Sequence, residues 1–185
     1  MGVTRVAVVG DSLSVGFSPA FTAEGLDRSS YLYTALGDDA VLAGGTAVPG
    51  ATSLHQRSRA SAVEADVLIL ALGTNDLAWG LPFDETAGAL RDIARIVGPP
   101  PRVILLAIPP LEPELGPTTP VYNAWLRALA EAEGWEFVDA PAPVRDGDGW
   151  AAGMSNDGVH YTARAARLVG EKVGRALRLD RPSSA

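Results

Sequence analysis

The sequence predicts an α/β layered domain, and three observations carry that prediction. Short β-branched and aliphatic runs recur along the chain. Three of them, Arg5 to Val9, Val67 to Leu72 and Arg102 to Ile108, are nearly continuously apolar, which suits strands buried on both faces of a parallel sheet. The segments between the runs repeat their apolar residues at helical spacing, and alternation of strand with helix is the mark of layered α/β domains.

In order, Arg5 to Val9 reads as the first strand and Ala40 to Ala43 as a weaker second. Val67 to Leu72 is the third, Arg102 to Ile108 the fourth and Trp135 to Val138 a short fifth. Leu90, Ile93 and Val97 follow a helical step, as do Val121, Tyr122, Trp125, Leu126 and Leu129. A last helix runs from Ala163 to Leu177, with Ala166, Val169, Val173 and Ala176 on one face and Thr162 placed to cap its start. Pro99 to Pro101 is a stiff lead into the fourth strand. Pro109 to Pro120 is too long for a plain turn, and reads equally as a pocket wall or a rigid connector. With 185 residues and no internal repeat, one domain over 1–179 and a flexible tail over 180–185 are expected.

Composition removes several function classes. The chain has no cysteine, hence no disulfide, zinc-thiolate site or thiol nucleophile. Its net charge is −7, Lys172 is its only lysine and no basic run occurs, so neither nucleic acid nor an anionic membrane is an expected partner. No signal peptide precedes the first apolar run and no run is long enough to span a membrane, so a cytoplasmic location is expected. Two separated histidines without thiols argue against catalytic zinc. Gly44, Gly45 and Gly50 form neither a Walker nor a dinucleotide fingerprint, and the Gly73 block lacks a phosphate-loop lysine. Neither metal nor cofactor is expected.

Four short blocks remain: Gly10-Asp11-Ser12-Leu13-Ser14, Pro49-Gly50-Ala51-Thr52, Gly73-Thr74-Asn75-Asp76 and Asp157-Gly158-Val159-His160. The first three follow predicted strands, where open α/β sheets collect their working groups. Ser12 reads as a nucleophile or as part of a helix cap. Serine needs a base, and only His55 and His160 exist. His55 has Thr52 three residues back and reads as a surface residue. His160 has Asp157 there, a carboxylate able to orient the imidazole, although Asn156-Asp157-Gly158 is equally a turn signal. Pro49-Gly50 suggests a type II turn whose Gly50 amide can face a developing oxyanion. Asn75 supplies an uncharged donor or a turn residue. Asp11 and Asp76 are assigned to holding loops rather than to proton transfer.

On these blocks the chain resembles the GDSL-type SGNH hydrolases, over Gly10 to His160. The resemblance implies Ser12, Asp157 and His160 as the catalytic triad, and Ser12, Gly50 and Asn75 as the oxyanion hole. It implies a three-layer flavodoxin-like fold of about five parallel strands, and cofactor-free ester hydrolysis through an acyl-enzyme. One departure is the absence of an Asn shortly before Gly50, where Gly45-Thr46-Ala47-Val48 stands. The expected substrate is a small ester with a short acyl or acetyl group, acetylated carbohydrate included. Acyl transfer or thioester hydrolysis by the same residues, and a non-catalytic binding module, are the alternatives. Trp79, Leu81, Leu111, Leu115, Trp150 and Met154 are candidate pocket residues, or ordinary packing under loops.

Overall fold

The computed structural model describes residues 2–98, 100, 102–112 and 118–179. Five strands form one parallel sheet: β1 (Thr4–Gly10), β2 (Ala40–Ala47), β3 (Val67–Ala71), β4 (Arg102–Leu106) and β5 (Glu136–Val138). Their order is β2-β1-β3-β4-β5. This is the doubly wound order of the flavodoxin-like expectation, and it places the topological switch point between β1 and β3.

The side-chain period of two along each strand divides the core into two layers. Val6, Val8, Ile69, Ile104 and Leu106 face one layer with α2 (Tyr31–Leu36) and α7 (Ala163–Leu179). Ala7, Val9, Leu68, Leu70 and Leu105 face the other with α5 (Phe83–Val97) and α6 (Thr119–Glu133). Val6 to Val9 are all fully buried, so both faces of β1 are covered. Each large aliphatic buried there contributes about 1.5–3 kcal/mol relative to exposure. Helices on both faces follow directly, because a strand apolar on both sides has to be covered on both.

Four short helices connect these layers to the site: α1 (Ser12–Val15), α2, α3 (Ser53–Arg57) and α4 (Thr74–Ala78). The long helices match the spacing read from sequence, and Thr162 caps α7 through Ala165 N–H at 3.3 Å. Differences concern short elements. β2 continues to Ala47, four residues beyond the expected strand, with a register shift opposite Val6 and Ala7. Its Gly44-Gly45 pair hides that extension in the sequence. After Thr52 the chain forms only the short helix Ser53–Arg57, which no periodic stripe announces. A two-stranded hairpin, β6 (Arg145–Asp146) with β7 (Gly149–Trp150), precedes the His160 loop and carries no apolar run to announce it. Among the described residues no helix is long and apolar enough to cross a membrane. The expected 180–185 tail, Pro99, Pro101 and residues 113–117 of the long proline-rich connection lie outside the described residues.

Gly45 is where the sheet tolerates no side chain. Its φ is +118°, and a Cβ there would lie 1.9 Å from the Val8 carbonyl oxygen on β1. Gly37, at φ +54°, has open space around it. Gly45→Ala is therefore expected to cost at least about 2 kcal/mol more stability than Gly37→Ala in urea unfolding, since only the first adds a backbone clash to the strain of positive φ.

Candidate active site

The turn at the carboxyl end of β1 carries Ser12. Gly10 has no room for a Cβ, which would sit 2.2 Å from Ser14 Oγ. Asp11 then caps α1, its Oδ1 accepting Leu13 N–H at 2.9 Å. The capping function and the presentation of Ser12 are thus the same turn. Ser12 Oγ lies 2.9 Å from His160 Nε2.

His160 stands on the loop entering α7. Its Nδ1 is 2.7 Å from Asp157 Oδ2. A carboxylate accepting from Nδ1–H leaves Nε2 as the acceptor for the Ser12 hydroxyl. Asp157 Oδ1 also accepts the backbone N–H groups of Val159 at 2.9 Å and His160 at 2.8 Å. Desolvation opposes ionisation of this carboxyl, but the His160 backbone, the His160 ring and the Val159 N–H outweigh it and hold it well below the ordinary carboxylate range. The loop is clamped from outside. The Gly158 carbonyl accepts Glu112 N–H at 2.9 Å and Trp150 Nε1–H at 3.0 Å. Gly158 has φ +77°, and a Cβ there would approach Glu112 Cβ to 2.8 Å. The turn signal and the His160–Asp157 pair occupy one loop.

The other two blocks close the opposite side. Val48 O accepts Ala51 N–H at 3.1 Å across Pro49-Gly50, and Gly50 has φ +73°. This is a type II turn, with glycine where the backbone demands it. Asn75, at the start of α4, donates from Nδ2 to Ala51 O at 3.0 Å and to Asp11 Oδ2 at 3.3 Å. Asp76 is fully buried and accepts Ser53 N–H, Ser53 Oγ–H and, at 3.0 Å, Thr86 Oγ1–H. It therefore ties α4 to the start of α3, and with it the Gly50 turn. Gln56 adds a third tie, donating from Nε2 to Gly10 O at 2.5 Å. Both acids hold loops through these hydrogen bonds. Burial pushes the Asp11 carboxyl up to about 7; the Leu13 N–H lowers it, the Asp76 charge raises it further and His160 lowers it.

His55 sits apart, exposed, in a capping box with Thr52. Among the described residues no group of three or more His, Asp or Glu is placed to hold a metal ion.

A cleft of about 350 Å³ lies beside Ser12, Asp157 and His160, walled by Leu13, Gly16, Phe17, Ser29, Pro49 and Tyr161. The candidate pocket residues are not in its wall. Leu111 and Met154 are buried in the core, at 5 % exposure each. Trp150 packs edge-on against Tyr161 and donates to the Gly158 carbonyl, so it buttresses the His160 loop. Trp79 is 73 % exposed at the end of α4, and Leu81 follows it outside the cleft. Leu115 lies outside the described residues. The sequence reading favoured loops late in the chain, whereas the cleft is built from the segment just after Ser12. The available signal was Phe17, a large aromatic among turn-forming residues.

Solved structures of the same fold are many. A GDSL-like lipase from Bacteroides thetaiotaomicron is 20 % identical, with a TM-score of 0.70 over 94 % of this chain and 87 % of that one. TesA is 24 % identical, with 0.69 over 94 % and 98 %. Est24, a carbohydrate acetylesterase from Sinorhizobium meliloti, is 21 % identical, with 0.67 over 94 % and 98 %. A comparison with curated proteins finds no match. The chain belongs to the GDSL-like lipase/acylhydrolase family, which matches residues 8–168, and it is an enzyme of that hydrolase class.

The raised Asp11 carboxyl has a stability consequence. It binds its proton more tightly folded than unfolded, so its contribution is fully present below the ordinary value of 3.8 and is lost as pH rises through about 7. Asp11→Asn removes that titration. Thermal melts at about pH 4.5 and about pH 7.5 should show wild type losing stability relative to the variant at the higher pH. A pH-independent difference contradicts the assignment.

Proposed function

We propose that this enzyme is a serine esterase that hydrolyses small carboxylic esters, with a short acyl or acetyl group, through an acyl-enzyme. The observation that carries the reading is the continuous chain from Ser12 Oγ to His160 Nε2 at 2.9 Å and from His160 Nδ1 to Asp157 Oδ2 at 2.7 Å.

His160 takes the Ser12 proton as Oγ attacks the ester carbonyl. Asp157 keeps the imidazole in the required tautomer and stabilises the imidazolium. The Ser12 and Gly50 N–H groups and the Asn75 amide stabilise the oxyanion. The Asn75 contact to Asp11, at 3.3 Å, is longer than its contact to Ala51, at 3.0 Å, and is the one an oxyanion displaces. His160 then protonates the leaving alcohol. Water, activated by His160, releases the acid and restores Ser12. No step calls for a metal or cofactor.

The site is open to the water that deacylation needs. The His160 and Asp157 side chains are 41 % and 55 % exposed, so water reaches the base directly. A cleft of about 350 Å³ lies within the size range of small-molecule sites and suits a small ester.

Ser12→Ala should abolish turnover of p-nitrophenyl acetate while leaving thermal unfolding intact; wild-type activity in that variant refutes the mechanism. Asp157→Asn should lower kcat by about 10²–10⁴. The upper figure is the loss seen when a protease's buried triad aspartate is changed in this way, and the exposure of Asp157 places the effect below it.

A further inference from the structure

We infer that the cleft beside Ser12 receives the alcohol half of the ester and selects an uncharged, apolar alcohol bearing an aromatic or similar ring, with Phe17 as its outer wall. The inference rests on the ester chemistry proposed above. The argument starts from direction. The leaving oxygen must come within reach of His160 Nε2 to be protonated, while the carbonyl oxygen must point to the oxyanion donors. The alcohol therefore projects on the His160 side and away from Asn75. The cleft lies mainly on that side: its wall includes His160, Asp157 and Tyr161, and of the oxyanion-side turn only Pro49 reaches it, neither Asn75 nor Gly50 being part of the wall.

The wall's chemistry then names the occupant. Apart from the paired Asp157 and His160, no charged side chain lines the cleft, and Leu13, Phe17, Pro49 and Tyr161 give it apolar and aromatic surfaces. An alcohol rich in hydroxyls would lose water there and find few partners. Phe17 is 82 % exposed, so its ring is free to be covered by a bound group, which would remove apolar surface from water. Its backbone is nevertheless fixed. Phe17 N–H donates to Ser29 Oγ at 2.7 Å, and Ser29 N–H donates to Asp27 Oδ1 at 2.8 Å. Asp27 N–H in turn donates to Ser18 Oγ at 3.0 Å. Gly16, at φ +59°, lets the chain pass so close to Ser29 that a Cβ would lie 2.7 Å from its backbone. An anchored backbone holds a free ring at the mouth of the cleft, ready to pack on a second ring.

The test varies the alcohol at constant acetyl, using benzyl, methyl and glyceryl acetates, and then the acyl group at constant benzyl, from acetyl to hexanoyl. Benzyl alcohol and methanol differ little in acidity, so kcat/KM reports recognition rather than leaving ability. Wild type should favour benzyl acetate over methyl and glyceryl acetates by about tenfold or more. Phe17→Ala, with unchanged thermal unfolding, should bring the benzyl-to-methyl ratio within about threefold of unity. Glyceryl acetate turned over as well as benzyl acetate overturns the inference. So does a benzyl preference that survives Phe17→Ala, or a Phe17→Ala effect confined to acyl length, which would place the acyl chain in the cleft. Hydrolysis of none of these esters, together with absence of any acylated Ser12, refutes the esterase reading itself and this inference with it.

Discussion

The hydrogen bond between Ser12 and His160 joins residues 148 positions apart, and the site exists only because the fold brings them together. One partner stands where β1 ends and the other where α7 begins. α7 packs beside α2 on one face of the sheet, so the loop before it is carried to the same edge as the end of β1. The distance of 2.9 Å thus depends on burial far from the chemistry. A helix held by Ala165, Val169, Val173 and Leu177 cannot shift without moving its own first loop. The Gly158 carbonyl, gripped by Glu112 and Trp150, fixes what remains of the loop's freedom. Preorganisation of this kind is what lets an imidazole act on a hydroxyl without first being ordered.

Two buried acids do the same for the opposite side. Asp11 joins the Ser12 turn to Asn75, and Asp76 joins Asn75's helix to the segment that follows Gly50. Each accepts hydrogen bonds from two or more donors, which offsets part of the cost of burying a carboxyl. Their environments differ. Asp11 accepts from Leu13 N–H and the Asn75 amide, but burial pushes its carboxyl up to about 7, so its charge is sensitive to pH in the neutral range. The three blocks after the first three strands are therefore one hydrogen-bonded unit rather than separate loops.

The sequence made the sheet and the four blocks legible for separate reasons. Val6 to Val9 and Leu68 to Leu70 are apolar without alternation, and only a doubly covered strand explains such runs. The blocks were legible because their residues are constrained locally: Gly50 and Gly158 by positive φ, Asp11 by its cap, Asp157 by its turn. Elements without a strong local pattern were not legible. The β6–β7 hairpin is two residues a side, and α2 is a six-residue helix without room for a periodic stripe. The cleft wall failed for a deeper reason. Trp150 and Met154 have the composition expected of a pocket, yet the first packs behind the His160 loop and the second in the core. Phe17 stands out in its loop only by being aromatic, and only the fold shows where its ring lies. Side-chain type marks what a residue can do; which space it faces is decided by long-range packing.

Reaction with a fluorophosphonate tests the central claim most directly, because the reagent needs a serine already activated by its base and not merely an accessible one. Intact mass and peptide mapping of the folded enzyme should find a single adduct on the peptide holding Ser12, formed rapidly in the native protein and lost in urea. An unmodified protein, or an adduct on another serine with Ser12 untouched, would contradict the account.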